Sequence, residues 1–211
     1  MAVDSSALAL KKLGEWWCPD ILSSPGKYTS KAATLPEIIG HARGRRRVIQ
    51  AGAHIGVYPR LLSQWFANVE WFEAAADNYE CAAKNTESLE GVTGYHAAIG
   101  DEAVMVCMSL KRANTATHHV SVGSGVPVKQ VTIDSLCRDD VDAILLDVEG
   151  YEIQALRGAR ETILKSRPLL VVEVCRYIER YGHTERDLVT LLNGLGYSRV
   201  CTIGADQVWT A

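Results

Sequence analysis

The chain has no long hydrophobic run, no paired-cysteine motif and no surplus of either charge. No apolar stretch approaches the roughly 18 residues needed to cross a bilayer, and the first residues, MAVDSSALALKK, lack the basic start and long apolar middle of a secretory leader. Six cysteines (Cys18, Cys81, Cys107, Cys137, Cys175, Cys201) are scattered without one C-x-x-C pair, which argues against a zinc site and against a disulfide framework. Lysine and arginine number 22 against 25 acids, a net charge of −3, so there is no general drive toward nucleic acid or an anionic membrane. The basic run Arg43, Arg45, Arg46, Arg47 immediately precedes a strand pattern and reads as its solvated entrance rather than a phosphate-binding patch. Also missing are Gly-x-Gly-x-x-Gly, Tyr-x-x-x-Lys, an N-P-P-Y-like motif, internal repeats and low-complexity tracts. The expectation is a soluble, reduced, cytoplasmic protein with neither a nucleic acid nor a membrane as partner.

What is present is an alternation of short apolar runs with helical patterns from Arg46 onward, the pattern of a mostly parallel sheet with crossover helices. Strands are expected at 48–51, 69–73, 95–99, 143–146 and 169–174, with helices around 57–66, at 77–85, and on the Ile153, Leu156, Ala159, Ile163 face. Residues 103–110 and 126–133 look extended and flank a polar loop at 111–125. Thr184 with Asp187 forms a capping-box pattern opening a helix with Leu188, Leu191, Leu192 and Leu195 inward. Residues 197–203 and 207–210 would close the sheet as a hairpin. A single domain over 46–211 follows, preceded by an aromatic-rich extension over 1–45. Trp16, Trp17, Tyr28 and the 35–39 segment suggest that this extension is helical, and it could cover a ligand or form a homodimer contact.

Two motifs carry chemistry. The first is QAGAHIG at 50–56, a strand-to-helix turn in which Gly52 and Gly56 let the chain turn sharply and let a ligand approach the backbone. About twenty residues on, Glu73 ends the next strand, where an acid can hold the ribose hydroxyls of a nucleoside. The second is DVEGYE at 147–152. If strands 48–51 and 143–146 are neighbours, Asp147 and Glu149 face the same crevice as Gly52, and Glu173 points to the same rim. Glu149 reads equally well as a helix-terminal acid. His118 and His119 lie in the polar loop that should overhang the crevice. Asp147, Glu149, Glu173 and His119 could make an oxygen-rich cation site, although ordinary loop histidines and rim acids are the simpler reading, and no metal is assigned.

The stretches VIQAGAHIGVYPRLL, WFEAAADNYECAAKN, YHAAIGDEA, VTIDSL, ILLDVEGYEIQALRGARETI and PLLVVEV resemble the FkbM family of methyltransferases, across roughly residues 45–175. The short form, with GVYP after the glycine turn, resembles phage and environmental members. The resemblance implies a Rossmann-like class I methyltransferase fold of the α/β class: a mostly parallel seven-stranded sheet with a C-terminal antiparallel hairpin and helices on both faces. It also implies S-adenosyl-L-methionine as methyl donor and a small-molecule or saccharide acceptor methylated on oxygen. By position, Gln50, Gly52, Ala53, His54 and Gly56 would contact the methionine end, Glu73 the ribose, and Ala98, Ile99 and Gly100 the adenine. Asp147 would border both donor and reacting centre, positioning or deprotonating the acceptor with Glu149, Glu173 or His119 assisting. The chain departs from the family pattern at Gln50 (often Asp), His54 (Gly or Asn), Ala74 (Pro) and Leu145 (often Lys). These departures motivate one alternative, a domain that holds the donor without transferring methyl. A nicotinamide oxidoreductase is the other, disfavoured by the missing glycine fingerprint.

Overall fold

The computed structural model describes residues 9–111, 114–121 and 123–211. Arg112, Ala113 and Val122 of the polar loop, and the side chain of Tyr28, lie outside the described residues. In chain order the elements are β1 (Leu10–Leu13), β2 (Trp16–Pro19), α1 (Gly26–Lys31), α2 (Leu35–Ile39), β3 (Arg47–Ala51), α3 (Val57–Leu62), β4 (Asn68–Glu73), α4 (Ala76–Thr86), β5 (Val92–His96), β6 (Ala98–Ile99) and β7 (Met105–Ser109). Then follow β8 (His119–Ser121), β9 (Val126–Val131), β10 (Val141–Leu146), α5 (Glu152–Arg157), α6 (Arg160–Ser166), β11 (Leu169–Glu173), α7 (Glu185–Gly194), β12 (Ser198–Ile203) and β13 (Asp206–Thr210).

Seven strands form the main sheet in the order β12-β13-β11-β10-β3-β4-β5. Pairing is parallel from β11 through β10, β3 and β4 to β5, and antiparallel where β13 meets β11 and β12. The apolar runs are continuous because the central strands are covered on both sides. Ile49, Ala51, Ile144, Leu146, Leu170 and Val172 turn to one face, where Ile153, Leu156, Ile163, Leu188 and Leu192 of α5, α6 and α7 bury them. Val48, Ala143, Leu145, Leu169 and Val171 turn to the other, beneath Leu35, Ile38 and Ile39 of α2 and Leu62 of α3. Each of these buried Val, Leu and Ile side chains contributes roughly 1.5–3 kcal/mol relative to exposure. At the opposite ends of the strands from the glycine turn, Arg46 pairs with Asp142, and Arg47 with Asp140 and Glu70. Those members of the arginine run thus staple strand entrances.

Three details differ from the sequence reading. The expected single strand at 95–99 divides at Ala97, whose N–H is shared by the Glu73 and Tyr95 carbonyls. β5 stays in the main sheet while β6 joins a second sheet, β6-β9-β7-β8. The helix through Ile153 and Ile163 is two helices, α5 being capped by Gly158, which lies so close to Gly100 that a Cβ would stand 1.9 Å from its carbonyl oxygen. The chain re-enters a helix only at Arg160. Among the described residues the N-terminal extension opens on a hairpin, β1 with β2, rather than a helix. Asn85 of α4 holds it in place: its Oδ1 accepts the Trp17 N–H (2.8 Å) and its Nδ2 donates to the Trp17 carbonyl (2.9 Å), so the side-chain amide mimics a neighbouring strand. Trp16 and Cys18 point inward against Ile55 and Cys81.

Candidate active site

The site lies beyond the carboxyl ends of β3, β4, β10 and β11, at the place where strand order reverses between β3 and β10. Leaving β3, Gly52 adopts φ +84°, and both its N–H (2.9 Å) and that of Ala53 (3.0 Å) donate to the Phe72 carbonyl at the end of β4. The Asp147 N–H closes the other side on the Ala51 carbonyl (3.1 Å). Gly52 must be glycine because a Cβ would overlap the Asp147 carbonyl oxygen at 1.8 Å. His54 follows in the left-handed region (φ +51°), and its N–H donates to Glu73 Oε2 (2.8 Å) while the Ala75 N–H donates to Oε1 (2.8 Å). Glu73 is only 7% exposed. Burial pushes its carboxyl up to about 7, opposed by the backbone N–H groups of Ala75 and His54.

A cavity of about 560 Å³ opens over this corner. Among the residues singled out from the sequence, it brings together Gly52, His54, Glu73, Ala98, Ile99, Asp147, Glu149, Glu173 and His119. Gln50 and Ala53 line a smaller adjoining pocket of about 60 Å³, shared with Gly52, His54 and Asp147. Gly56 and Gly100 line neither pocket. Gly56 starts α3 against Ala82 of α4, where a Cβ would be 2.9 Å from the Ala82 Cα, and Gly100 packs on the Gln130 side chain. Both glycines are thus closely packed against a neighbouring element. Phe72, Ala74, Ala97 and Met108 complete an apolar wall, and Ser30 of α1 reaches the cavity, so the N-terminal extension forms part of its boundary.

The acidic rim is built by the turn after β10 and the end of β11. Asp147, Glu149 and Glu173 offer carboxylate oxygens all within 4.8 Å of one another, a spacing compatible with an oxygen-ligated cation. His119 is not part of this group. The turn is fixed from below by Glu152, whose Oε1 accepts the N–H groups of Val148 and Gly150, both at 3.1 Å. At 2% exposure the Glu152 carboxyl is raised by burial to about 7, with those backbone bonds acting the other way. Arg180 donates to the Glu149 carbonyl (2.9 Å). Glu152 stood inside the DVEGYE motif without a role; its place three residues after Glu149, in the first turn of α5, was the available signal.

The polar loop roofs the cavity and is tied down at three points. His54 Nε2 meets Thr115 Oγ1 (3.0 Å), Asn78 Nδ2 donates to the Thr115 carbonyl (3.0 Å), and Tyr181 OH donates to the Val120 carbonyl (2.6 Å). Both His118 and His119 line the cavity, and burial lowers the pKa of each. Asn78 and Thr115 are site residues that the sequence reading missed.

A model of the FkbM methyltransferase domain matches residues 50–199, most of the chain. The chain belongs to the FkbM methyltransferase family. Among solved structures, the FkbM methyltransferase of Methylobacillus flagellatus KT is 18% identical (TM-score 0.56), over 82% of this chain and 45% of that one. The present chain thus spans less than half of that relative. The magnesium protoporphyrin IX methyltransferase of Synechocystis PCC 6803, solved with bound S-adenosylmethionine, is 14% identical (TM-score 0.52; 87% and 76% of the two chains). The precorrin-6y C5,15-methyltransferase of Geobacter metallireducens GS-15 is 11% identical (TM-score 0.51; 100% and 97%). At such identities the likeness shows the fold, which is the Rossmann-like class I methyltransferase fold. No curated protein matches the chain by sequence. No helix among the described residues is long and apolar enough to cross a membrane.

The residues of this FkbM domain fit the donor that the family implies. The turn at Gly52 excludes a Cβ where the backbone must be approached. Glu73 presents a buried carboxylate beside it, and Phe72, Ala74, Ala97 and Ala98 supply the apolar wall that a purine requires.

Proposed function

We propose that this chain transfers a methyl group from S-adenosylmethionine to an oxygen, hydroxyl or carboxylate, of a small molecule or sugar. The observation that carries the reading is the convergence of the Gly52 turn, Glu73 and the Asp147 rim on one cavity. When bound, the donor would supply an already electrophilic methyl on sulfur, so the protein's tasks are alignment and, for a hydroxyl acceptor, removal of its proton. In this reading Glu73 holds the ribose hydroxyls and Asp147, next to the donor's turn, takes the proton as the oxygen–carbon bond forms. Glu149 and Glu173 hold the acceptor against Asp147. His119 lines the same cavity and assists as a neutral side chain, since burial lowers its pKa. A net charge of −3 favours a small-molecule or saccharide partner over nucleic acid or membrane, in a cytoplasmic setting.

Calorimetric titration of the purified chain with S-adenosylmethionine and S-adenosylhomocysteine tests the donor, with NAD as control and Glu73→Ala alongside. Micromolar binding of the first two, lost in the variant, supports the reading and opens an acceptor screen over sugars and small acids. Binding of NAD alone, or of nothing, removes it.

A further inference from the structure

The segment roofing the cavity is a turn that bonds largely to itself. The Lys111 N–H donates to His118 Nδ1 across its base (2.9 Å), the Asn114 N–H to the Lys111 carbonyl (3.0 Å), and the Ala116 N–H to Asn114 Oδ1 (3.2 Å). Beyond that base the chain is held firmly, since β8 pairs with β7 and Tyr181 OH donates to the Val120 carbonyl. Toward the Gly52 corner, the hydrogen bonds of this turn among the described residues are both made by Thr115. Its Oγ1 meets His54 Nε2 in the turn after β3 (3.0 Å), and its carbonyl accepts from Asn78 Nδ2 in the first turn of α4 (3.0 Å). Thr115 is 2% exposed. Residues 114–120 line the cavity together with Gly52, His54, Glu73 and Ala74, so a ligand in that corner lies beneath the turn.

We propose, resting on the donor reading above, that residues 114–118 form a gate over the donor and that the bond between His54 and Thr115 is its latch. The turn can swing about its base with its own bonds intact, giving up the two at Thr115. A hydroxyl both donates and accepts, so the latch forms with either neutral tautomer of the ring. One hydrogen bond biases such an equilibrium by only about fivefold, which suits a contact that must release whenever the donor or its product is exchanged. Opening steps of this kind set the pace of many enzymes. His54 stands where the family pattern has Gly or Asn. Neither carries a ring to meet Thr115, so the latch is a feature of this chain rather than of the family at large.

The test is the kinetics of S-adenosylhomocysteine binding to the full chain, followed by surface plasmon resonance, in Thr115→Val and Thr115→Ser. Valine keeps the shape and removes the hydroxyl; serine keeps the hydroxyl. Thr115→Val should quicken both association and dissociation about fivefold, and Thr115→Ser should stay within about twofold of the unmodified chain. A variant that had merely lost a contact with the ligand would quicken dissociation alone. Should Thr115→Val fail to fold, Asn78→Leu removes the second bond to Thr115 and carries the same expectation. Unchanged association in these variants, or a Thr115→Ser chain as fast as Thr115→Val, overturns the gate while the donor reading stands. No binding of S-adenosylhomocysteine by the folded, unmodified chain overturns the donor reading and the gate with it.

Discussion

Gly52 and Asp147 touch through their backbones: the position a Cβ would take on Gly52 lies 1.8 Å from the carbonyl oxygen of Asp147. The glycine turn after β3 and the acidic turn after β10 are thus one structural unit, although nearly a hundred residues separate them in the chain. Whatever moves one turn moves the other.

Gly52→Ala should therefore lose stability on the order of 3 kcal/mol, combining steric overlap with the strain of φ +84°. Binding of S-adenosylhomocysteine should be lost as well. Gly204→Ala is the control, since Gly204 has φ +64° with nothing within 4 Å of a Cβ, and should cost only about 1 kcal/mol. Urea unfolding of both variants makes the comparison. Equal stabilities would show that the two turns are not in contact.

Donor affinity should depend on pH through Glu73. Its carboxyl is raised by burial to about 7, and hydroxyl donors bond best to the ionised form. Affinity for S-adenosylhomocysteine should rise by up to about tenfold between pH 6 and pH 8 as the proton ceases to compete. Glu73→Gln should bind weakly and with a flat profile over the same range. A sloping profile in the variant would assign the effect to another group.

Asp147→Asn separates binding from chemistry. Asparagine preserves shape and removes the proton acceptor, so turnover with a hydroxyl acceptor should fall by roughly 10²–10⁴ while donor affinity barely changes. Full turnover in this variant removes Asp147 as the base.

Glu152 predicts a pH-dependent stability. Its folded-state value, about 7, stands above the ordinary carboxyl value of 4.5. The stability it contributes is present in full below about pH 4.5 and is lost as pH rises through 7. Glu152→Gln keeps an acceptor for the Val148 and Gly150 N–H groups without the charge. Relative to the unmodified chain it should gain stability from pH 5 to pH 8, by at most ~3 kcal/mol. Thermal melts across that range check the sign, and a variant that loses ground toward pH 8 would contradict it.

The parts of the molecule readable in advance are those with strong local signals. Continuous apolar runs announce β3, β10 and β11, and the Thr184–Asp187 capping box, present in the structure, announces α7. The acids around the cavity were legible because each follows such a run directly. The second sheet was not, since β6 has two residues and its partner β9 lies far along the chain. The four-residue strands of the N-terminal hairpin are too short for periodicity to separate them from a helix turn. Asn78 and Thr115 belong to a helix start and a polar loop, where a small polar residue ordinarily faces water. Gly56 and Gly100 pack against Ala82 and Gln130, contacts that only the packed chain reveals.

The position of β13 has a consequence for how the protein is made. It follows β12 in sequence, yet in space it sits inside the sheet, between β11 and β12. While a ribosome is still adding residues before Asp206, β11 has one bare edge, lined by Leu170, Val171 and Val172. Such an edge is a template for pairing with another chain. The hazard therefore lasts until β13 has emerged and paired, and the order in which β12 and β13 are made places that moment after β12 rather than directly after β11.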